Sequence, residues 1–193
     1  MRFLVVSDSH GLTEELSIIF NRHEQEIDDA FHCGDSQLAL VDEHLLPYRT
    51  VRGNCDFGGD LPLERIEETA EGTILIVHGH HHDVKYDLNR LRYRAEEVGA
   101  NVVLFGHSHV AGAVIEDGVL YVNPGSIRMP RGRSDKTYVL MDLENGQATV
   151  RFYRSEDGSA VEDLDVSGKL GRNEKKELTA NHFSIIVFLS MSQ

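Results

Sequence analysis

The residues of this chain best suited to chemistry are aspartates, histidines and an asparagine set beside glycines, in short blocks between apolar runs. In order they are Asp8-Ser9-His10, Gly34-Asp35, Gly53-Asn54-Cys55-Asp56, His78-Gly79-His80 and Gly106-His107-Ser108-His109. Carboxylate and imidazole groups together suit divalent transition metals such as manganese, iron, nickel, cobalt or zinc. Magnesium suits so many nitrogens poorly. A carboxylate can also bridge two cations and offset part of their repulsion. In extended backbone, residues two apart point the same way, so Asp8 and His10 are expected to face one ion while Ser9 points elsewhere. The glycines at 34, 53 and 106 permit sharp turns directly before a ligand.

Each block follows a segment that reads as a strand. Residues 3–6 are continuously apolar, as in a strand covered on both faces. Residues 30–32, 48–52, 73–77 and 102–105 read as further strands. Leu16, Ile19, Phe20 and His23 recur at helical spacing, which predicts a helix over 13–25 capped by Thr13. Shorter helical spacing covers 38–46, and a helix over 86–98 is expected to stop at Gly99. Later strands are expected at 110–115, 119–122, 137–143 and 148–153, with hairpin turns at Glu116-Asp117-Gly118 and Glu144-Asn145-Gly146. Strands alternating with helices, then a run of strands, predict an α/β chain of two packed sheets flanked by helices. In open α/β folds the loops at the carboxyl ends of strands converge on one crevice, so the chemical blocks are expected to meet. One domain is expected over 1–165, followed by a tail over 166–193. The abruptly apolar run 183–189 reads equally as a last strand, an oligomerisation arm or a tail without structure of its own.

Composition narrows the classes of function. The 193 residues are 40% hydrophobic and 26% charged, ordinary for one soluble domain. With 19 Lys+Arg against 32 Asp+Glu the formal net charge is -13. Such a surface repels polyanions and argues against extended nucleic-acid binding, but a local cation can still reverse the field inside a cleft for a small phosphorylated substrate. No apolar run is long enough to span a bilayer, and the opening run ends at Asp8, too early for an export signal. Cys33 and Cys55 form no disulfide framework. A cytoplasmic protein, free or as a homo-oligomer, is the expectation.

Taken in order, the blocks resemble the calcineurin-like metallophosphoesterase superfamily, whose pattern is Asp-x-His, Gly-Asp, Gly-Asn, His and Gly-His-x-His. The resemblance spans about residues 1–153. It looks strongest toward small bacterial and archaeal phosphodiesterases, which also carry Gly-Asn-Cys-Asp and Asn-Pro-Gly-Ser, here at 53–56 and 123–126. It implies an α/β/β/α sandwich and two divalent transition-metal ions, with manganese foremost. Asp8, His10 and His109 would hold the first ion, and Asn54, His78 and His107 the second, with Asp35 bridging. The implied reaction is hydrolysis of a small phosphoester, preferably a diester, by a hydroxide shared between the ions.

One position departs from many larger relatives, which place a histidine after the asparagine ligand. Cys55 stands there and is a poor acid at neutral pH. This favours leaving groups that depart unaided, with Asp56 or His80 as substitutes. In the basic cluster Arg128, Arg131, Arg133 and Lys136, the first two are candidates for a substrate phosphate. A solvated loop balancing nearby acids is the competing reading. Ser126 reads as a turn residue, His81 and His82 as solvated, and His23, His32, His44 and His182 as structural or surface groups. The cysteines read as space-filling. The competing function is a non-catalytic metal-binding scaffold on the same fold; retention of every ligand block favours the enzyme.

Overall fold

A computed structural model describes residues 1–171. Its first strand shows why the chain forms layers. In β1 (Arg2–Val6), Phe3 and Val5 enter one apolar cluster while Leu4 and Val6 enter another, and all are buried. A continuous apolar run is therefore required, because both faces of the strand are covered.

β1 lies within a six-stranded sheet. Parallel to it run β2 (Asp29–His32) and β3 (Arg49–Thr50). On its other side the sheet continues antiparallel through β9 (Thr137–Glu144), β10 (Gln147–Arg154) and β11 (Val166–Lys169). A five-stranded sheet packs against it. There β5 (Gly72–Val77), β6 (Val102–Leu104) and β8 (Val119–Asn123) run parallel. β4 (Glu64–Thr69) and β7 (Gly112–Glu116) form its antiparallel edges.

The main core sits between the sheets. Phe3, Phe31, Met141 and Phe152 of the first face Ile74, Ile76, Leu104 and Val122 of the second. Helix α1 (Glu14–His23) covers the outside of the first sheet through Leu16 and Ile19, beside Tyr48 and Tyr138. Helix α2 (Asn89–Val98) covers the second through Leu91 and Ala95. The expected two-sheet sandwich with helices outside is the fold observed.

Several local expectations change. Residues 38–46 form successive turns instead of a helix: Asp42 accepts a hydrogen bond from the His44 N–H at 3.0 Å, a local bond that competes with helix formation. Pro47 lies just beyond. Thr13 occupies the position before α1 but makes no side-chain cap. Helix α2 begins later than predicted, because Asp87 captures the Asn89 N–H at 2.8 Å. It ends at Gly99 in a left-handed conformation (φ 69°), as expected. Strand β4 was not predicted. Its sequence is mostly charged because it is an edge, with Glu64 paired to Arg94 and Glu67 to Arg49. Strand β11 extends the first sheet past residue 165, where the tail was expected to begin. The apolar run 183–189 and His182 lie outside the described residues. Among the described residues no helix is long and apolar enough to cross a membrane.

Phe31 is buried in the core between the sheets, its ring 5.5 Å from that of Phe3 on the neighbouring strand. Phe31→Ala should destabilise the fold by about 3–5 kcal/mol, read as a lower urea midpoint with an unchanged m-value.

Candidate metal centre

The parallel strands of both sheets end at one edge, and each delivers a chemical block there. β1 leads into Asp8 and His10, β2 into Asp35, and β3 is followed by Asn54. β5 leads into His78, and β6 into His107 and His109.

The backbone at these positions is unusual. Asp8 (φ 52°), His10 (45°), Asp35 (57°), His107 (66°) and His109 (60°) all adopt the left-handed region. Non-glycine residues there cost of order 1–3 kcal/mol each and persist only where surrounding contacts over-determine them. Asp8 and His10 thus converge through a kinked backbone, not through the alternation of an extended strand. Ser9 does point elsewhere: its hydroxyl meets Nε2 of His32 at 2.9 Å.

Gly34 turns in the left-handed region (φ 91°) as expected, whereas close approach explains Gly53 and Gly106 better than turning does. A Cβ on Gly106 would collide with the Ser7 hydroxyl and stand 2.7 Å from Oδ2 of Asp8. One on Gly53 would strike the Asp35 carboxylate.

Ligand-capable atoms of Asp8, His10 and His109 lie within 4.8 Å of one another, as do those of Asp8, Asp35 and His78. Hydrogen bonds behind the rings fix which way each imidazole faces. Nδ1 of His109 is 2.7 Å from the Met129 carbonyl, Nδ1 of His78 is 2.8 Å from that of Cys33, and Nδ1 of His10 is 3.1 Å from Oε1 of Gln37. Each Nδ1 must donate, so each Nε2 turns a lone pair into the centre. There, Nε2 of His10 and Nε2 of His109 face each other at 3.3 Å. Nε2 of His78 stands 3.3 Å from Oδ2 of Asp35 and 3.2 Å from Oδ1 of Asn54. Oδ1 of Asp8 is buried without a hydrogen-bond partner, facing Nε2 of His109 at 3.2 Å and that of His78 at 4.0 Å. Lone pairs directed at lone pairs call for a proton or a cation between them. The residues therefore fit divalent metal ions.

Electrostatics agree. Burial opposes charge on Asp35, but His78 and the Cys55 N–H (2.7 Å) hold its carboxyl well below the usual range. Burial likewise disfavours a charged His78, yet Asp35 and Asp8 outweigh it and raise its pKa. The facing Asp8 carboxylate raises that of His109. His107 is held down to about 4 by burial and by the charges of His78 and Lys85. Its backbone N–H donates to Asp8 and its ring lies 5.1 Å from that of His78, but its ring nitrogens join none of the ligand clusters among the described residues. Cys55 comes within reach of His10 and Asp35, while burial and Asp35 push its thiol up to about 11, so it stays protonated.

The secondary candidates separate. Asp56 is committed: Oδ2 accepts from the N–H groups of Asp35 (2.9 Å) and Gly53 (2.7 Å), and Oδ1 from Gln37 N–H (2.6 Å) and the Ser36 hydroxyl (3.1 Å). It clasps the loops that carry Asp35 and Asn54, a role that sequence reading missed because it needs a partner 21 residues away. His80 is half-buried, with its ring 5.4 Å from that of His78, and burial lowers its pKa to about 4. Arg128 donates to the His10 carbonyl, and Arg131 donates its N–H to the His109 carbonyl at 2.9 Å. Arg133 is instead tied to Asp135 and Asp163, and Lys136 to Glu156. Ser126 does more than make its turn, donating its hydroxyl to the Asp8 carbonyl at 2.8 Å. His32 is fully buried, accepts from the Gly34 N–H at 3.1 Å, and must therefore donate to Ser9.

A two-sheet sandwich with an Asp/His cluster at the carboxyl edge of its parallel strands is the architecture of a metallophosphoesterase. The chain belongs to the calcineurin-like phosphoesterase superfamily, whose domain profile matches residues 1–146. Among its relatives is a Bacillus subtilis protein named probable metallophosphoesterase YsnB. The two are 51% identical over 164 residues, covering 85% of this chain and 96% of that protein. A phosphoesterase-type protein of Streptococcus pneumoniae TIGR4 superimposes with a TM-score of 0.82 at 31% identity, over 87% of this chain and 97% of that one. Zinc-complexed Vps29 of Entamoeba histolytica shares the fold at a TM-score of 0.68 and 18% identity, over 89% and 100% of the two chains.

Two measurements check this description. Asp56→Ala should weaken metal binding at least about tenfold, since each bond to a charged acceptor is worth about 1.5–3 kcal/mol and both loops lose their clasp; titration calorimetry reads it. His32 is held at about 4 by burial, below its ordinary 6.5, so the unfolded chain takes up the proton first. Its contribution to stability is therefore complete above pH 6.5 and lost as pH falls toward 4, and His32→Gln should flatten the pH dependence of the urea midpoint in that window.

Proposed function

We propose that this protein is a dinuclear metal-dependent phosphodiesterase acting on a small phosphoester. The observation that carries the reading is the set of acceptor atoms of Asp8, His10, Asp35, Asn54, His78 and His109 turned toward one another, an arrangement that divalent cations would satisfy. Asp8, His10 and His109 would hold one ion, and Asn54, His78 and His107 the other, with Asp35 between them. Manganese is the foremost candidate. When bound, the ions supply a hydroxide near neutral pH and offset the charge that develops on the phosphoryl oxygens.

The chain's own groups do the rest. The imidazoles are held in one tautomer by the carbonyls of Cys33 and Met129, so they reach the reaction centre without reorganising. Arg128 and Arg131 flank the loop of His10 and the loop of His109, where a substrate phosphate would lie.

Among the described residues, the candidate acids beside the centre are poorly suited to protonate a leaving group. Cys55 is pushed up to about 11, His80 is held at about 4 and so is neutral at pH 7, and Asp56 is occupied by its donors. This arrangement favours diesters whose leaving group departs without protonation.

Metal-stripped protein resupplied with manganese, nickel, cobalt, zinc or magnesium should recover cleavage of an activated aryl phosphodiester ahead of its monoester counterpart. Stoichiometric metal binding with no turnover under any ion would overturn the enzyme reading in favour of a scaffold. Asp35→Asn and His107→Ala should each lower kcat/KM by at least about 10³-fold, near 4 kcal/mol of transition-state stabilisation, while circular dichroism stays native. Near-wild-type rates in both, at saturating metal, would sink the two-metal mechanism.

A further inference from the structure

Beside the metal centre lies a cleft of about 590 Å3 on the outer face of the second sheet, between β7 and β8 and the segment leading into α2. Cleft and centre share a wall. Ser108, set between His107 and His109, lines it, as does Arg131, whose backbone is bonded to the His109 carbonyl. The rest of the lining is largely apolar, with Val84, Leu88, Val114 and the ring of Tyr121.

Two further observations bear on what the cleft could hold. Gly112 begins β7 opposite Asn123, where a glycine weakens a strand and commonly marks the close approach of another group. Its φ is not left-handed, and a Cβ there would meet no heavy atom within 4 Å, so neither backbone nor packing demands glycine. Lys85 and Arg131 also line the cleft and make no ion pair among the described residues, in a chain of net charge -13. Both are near enough for their charges to act on His107 and His109 respectively.

The polar floor is already spoken for. Nδ2 of Asn123 donates to the Gly106 carbonyl (3.0 Å) and the Ser108 hydroxyl (2.9 Å), and its Oδ1 accepts from the Gly125 N–H (2.9 Å). It therefore offers no free amide edge with which to read a nucleobase.

We propose that this cleft receives an apolar aryl or alkyl arm of the phosphodiester while Lys85 and Arg131 attract its anionic centre, making the protein selective for diesters with a bulky hydrocarbon ester group. The proposal rests on the hydrolase reading above and assigns its substrate class.

The test is binding of diphenylphosphinate and dimethylphosphinate, whose carbon–phosphorus bonds resist hydrolysis, to the manganese-supplemented full chain by titration calorimetry. The diphenyl compound should bind at least about tenfold more tightly. Gly112→Phe, which fills the cleft from an open position, should erase most of that preference with an unchanged melting temperature. Val114→Trp provides the same test should Gly112→Phe fail to fold. Equal affinities in the wild type, or a preference that survives the filled cleft, would overturn the proposal. A preference that Gly112→Phe removes, in a protein that hydrolyses no diester under any metal, would leave the cleft standing and defeat only the hydrolase reading.

Discussion

Around Asp8, the fold crowds together groups that can only accept. Oδ1 of Asp8 is buried without a donor, and the imidazoles of His10, His78 and His109 turn lone pairs toward carboxylates or toward one another. Without a cation or protons such a cluster is repulsive, and much of the surrounding structure consists of devices that hold it in place. Carbonyls of Cys33 and Met129 lock the rings, Ser126 pins the Asp8 backbone, and Asp56 clasps the loops of Asp35 and Asn54. The left-handed residues belong to the same account. Their strain is sustained by these bonds, and it aims side chains that ordinary strand geometry would splay apart.

The two sheets make this crowding sustainable. Parallel strands covered on both faces bring their carboxyl ends to one edge, and the apolar layer between the sheets fixes that edge as a rigid rim. Glycine is needed where two loops nearly touch, as at Gly53 against Asp35 and Gly106 against Asp8. Antiparallel strands occupy three of the four sheet edges, where β4 can be charged and β11 short.

Charge is distributed to the same end. The chain as a whole is acidic, which discourages polyanions, while Arg128, Arg131 and Lys85 gather beside the metal centre. Arg133 and Lys136 come from the same basic segment yet are neutralised by Asp135, Asp163 and Glu156. One end of the segment therefore balances nearby acids, while the other lies beside the centre.

The amino-acid sequence by itself determined the layered α/β class, most of the buried strands and the superfamily. Continuous apolar runs, a glycine stop at Gly99 and ordered Asp/His blocks are local signals that need no partner to be read. It did not reveal β4, whose charges make sense only at a sheet edge, nor the turns at 38–46, where Asp42 outcompetes a helix. Nor did it show that Asp8 and His10 meet through a kinked backbone, that Asp56 is a clasp, that His32 is a buried link, or that a cleft opens at Gly112. Most of these depend on contacts between residues far apart in the chain, which only the packing of the two sheets brings together, whereas the turns at 38–46 are a local competition that apolar spacing does not register.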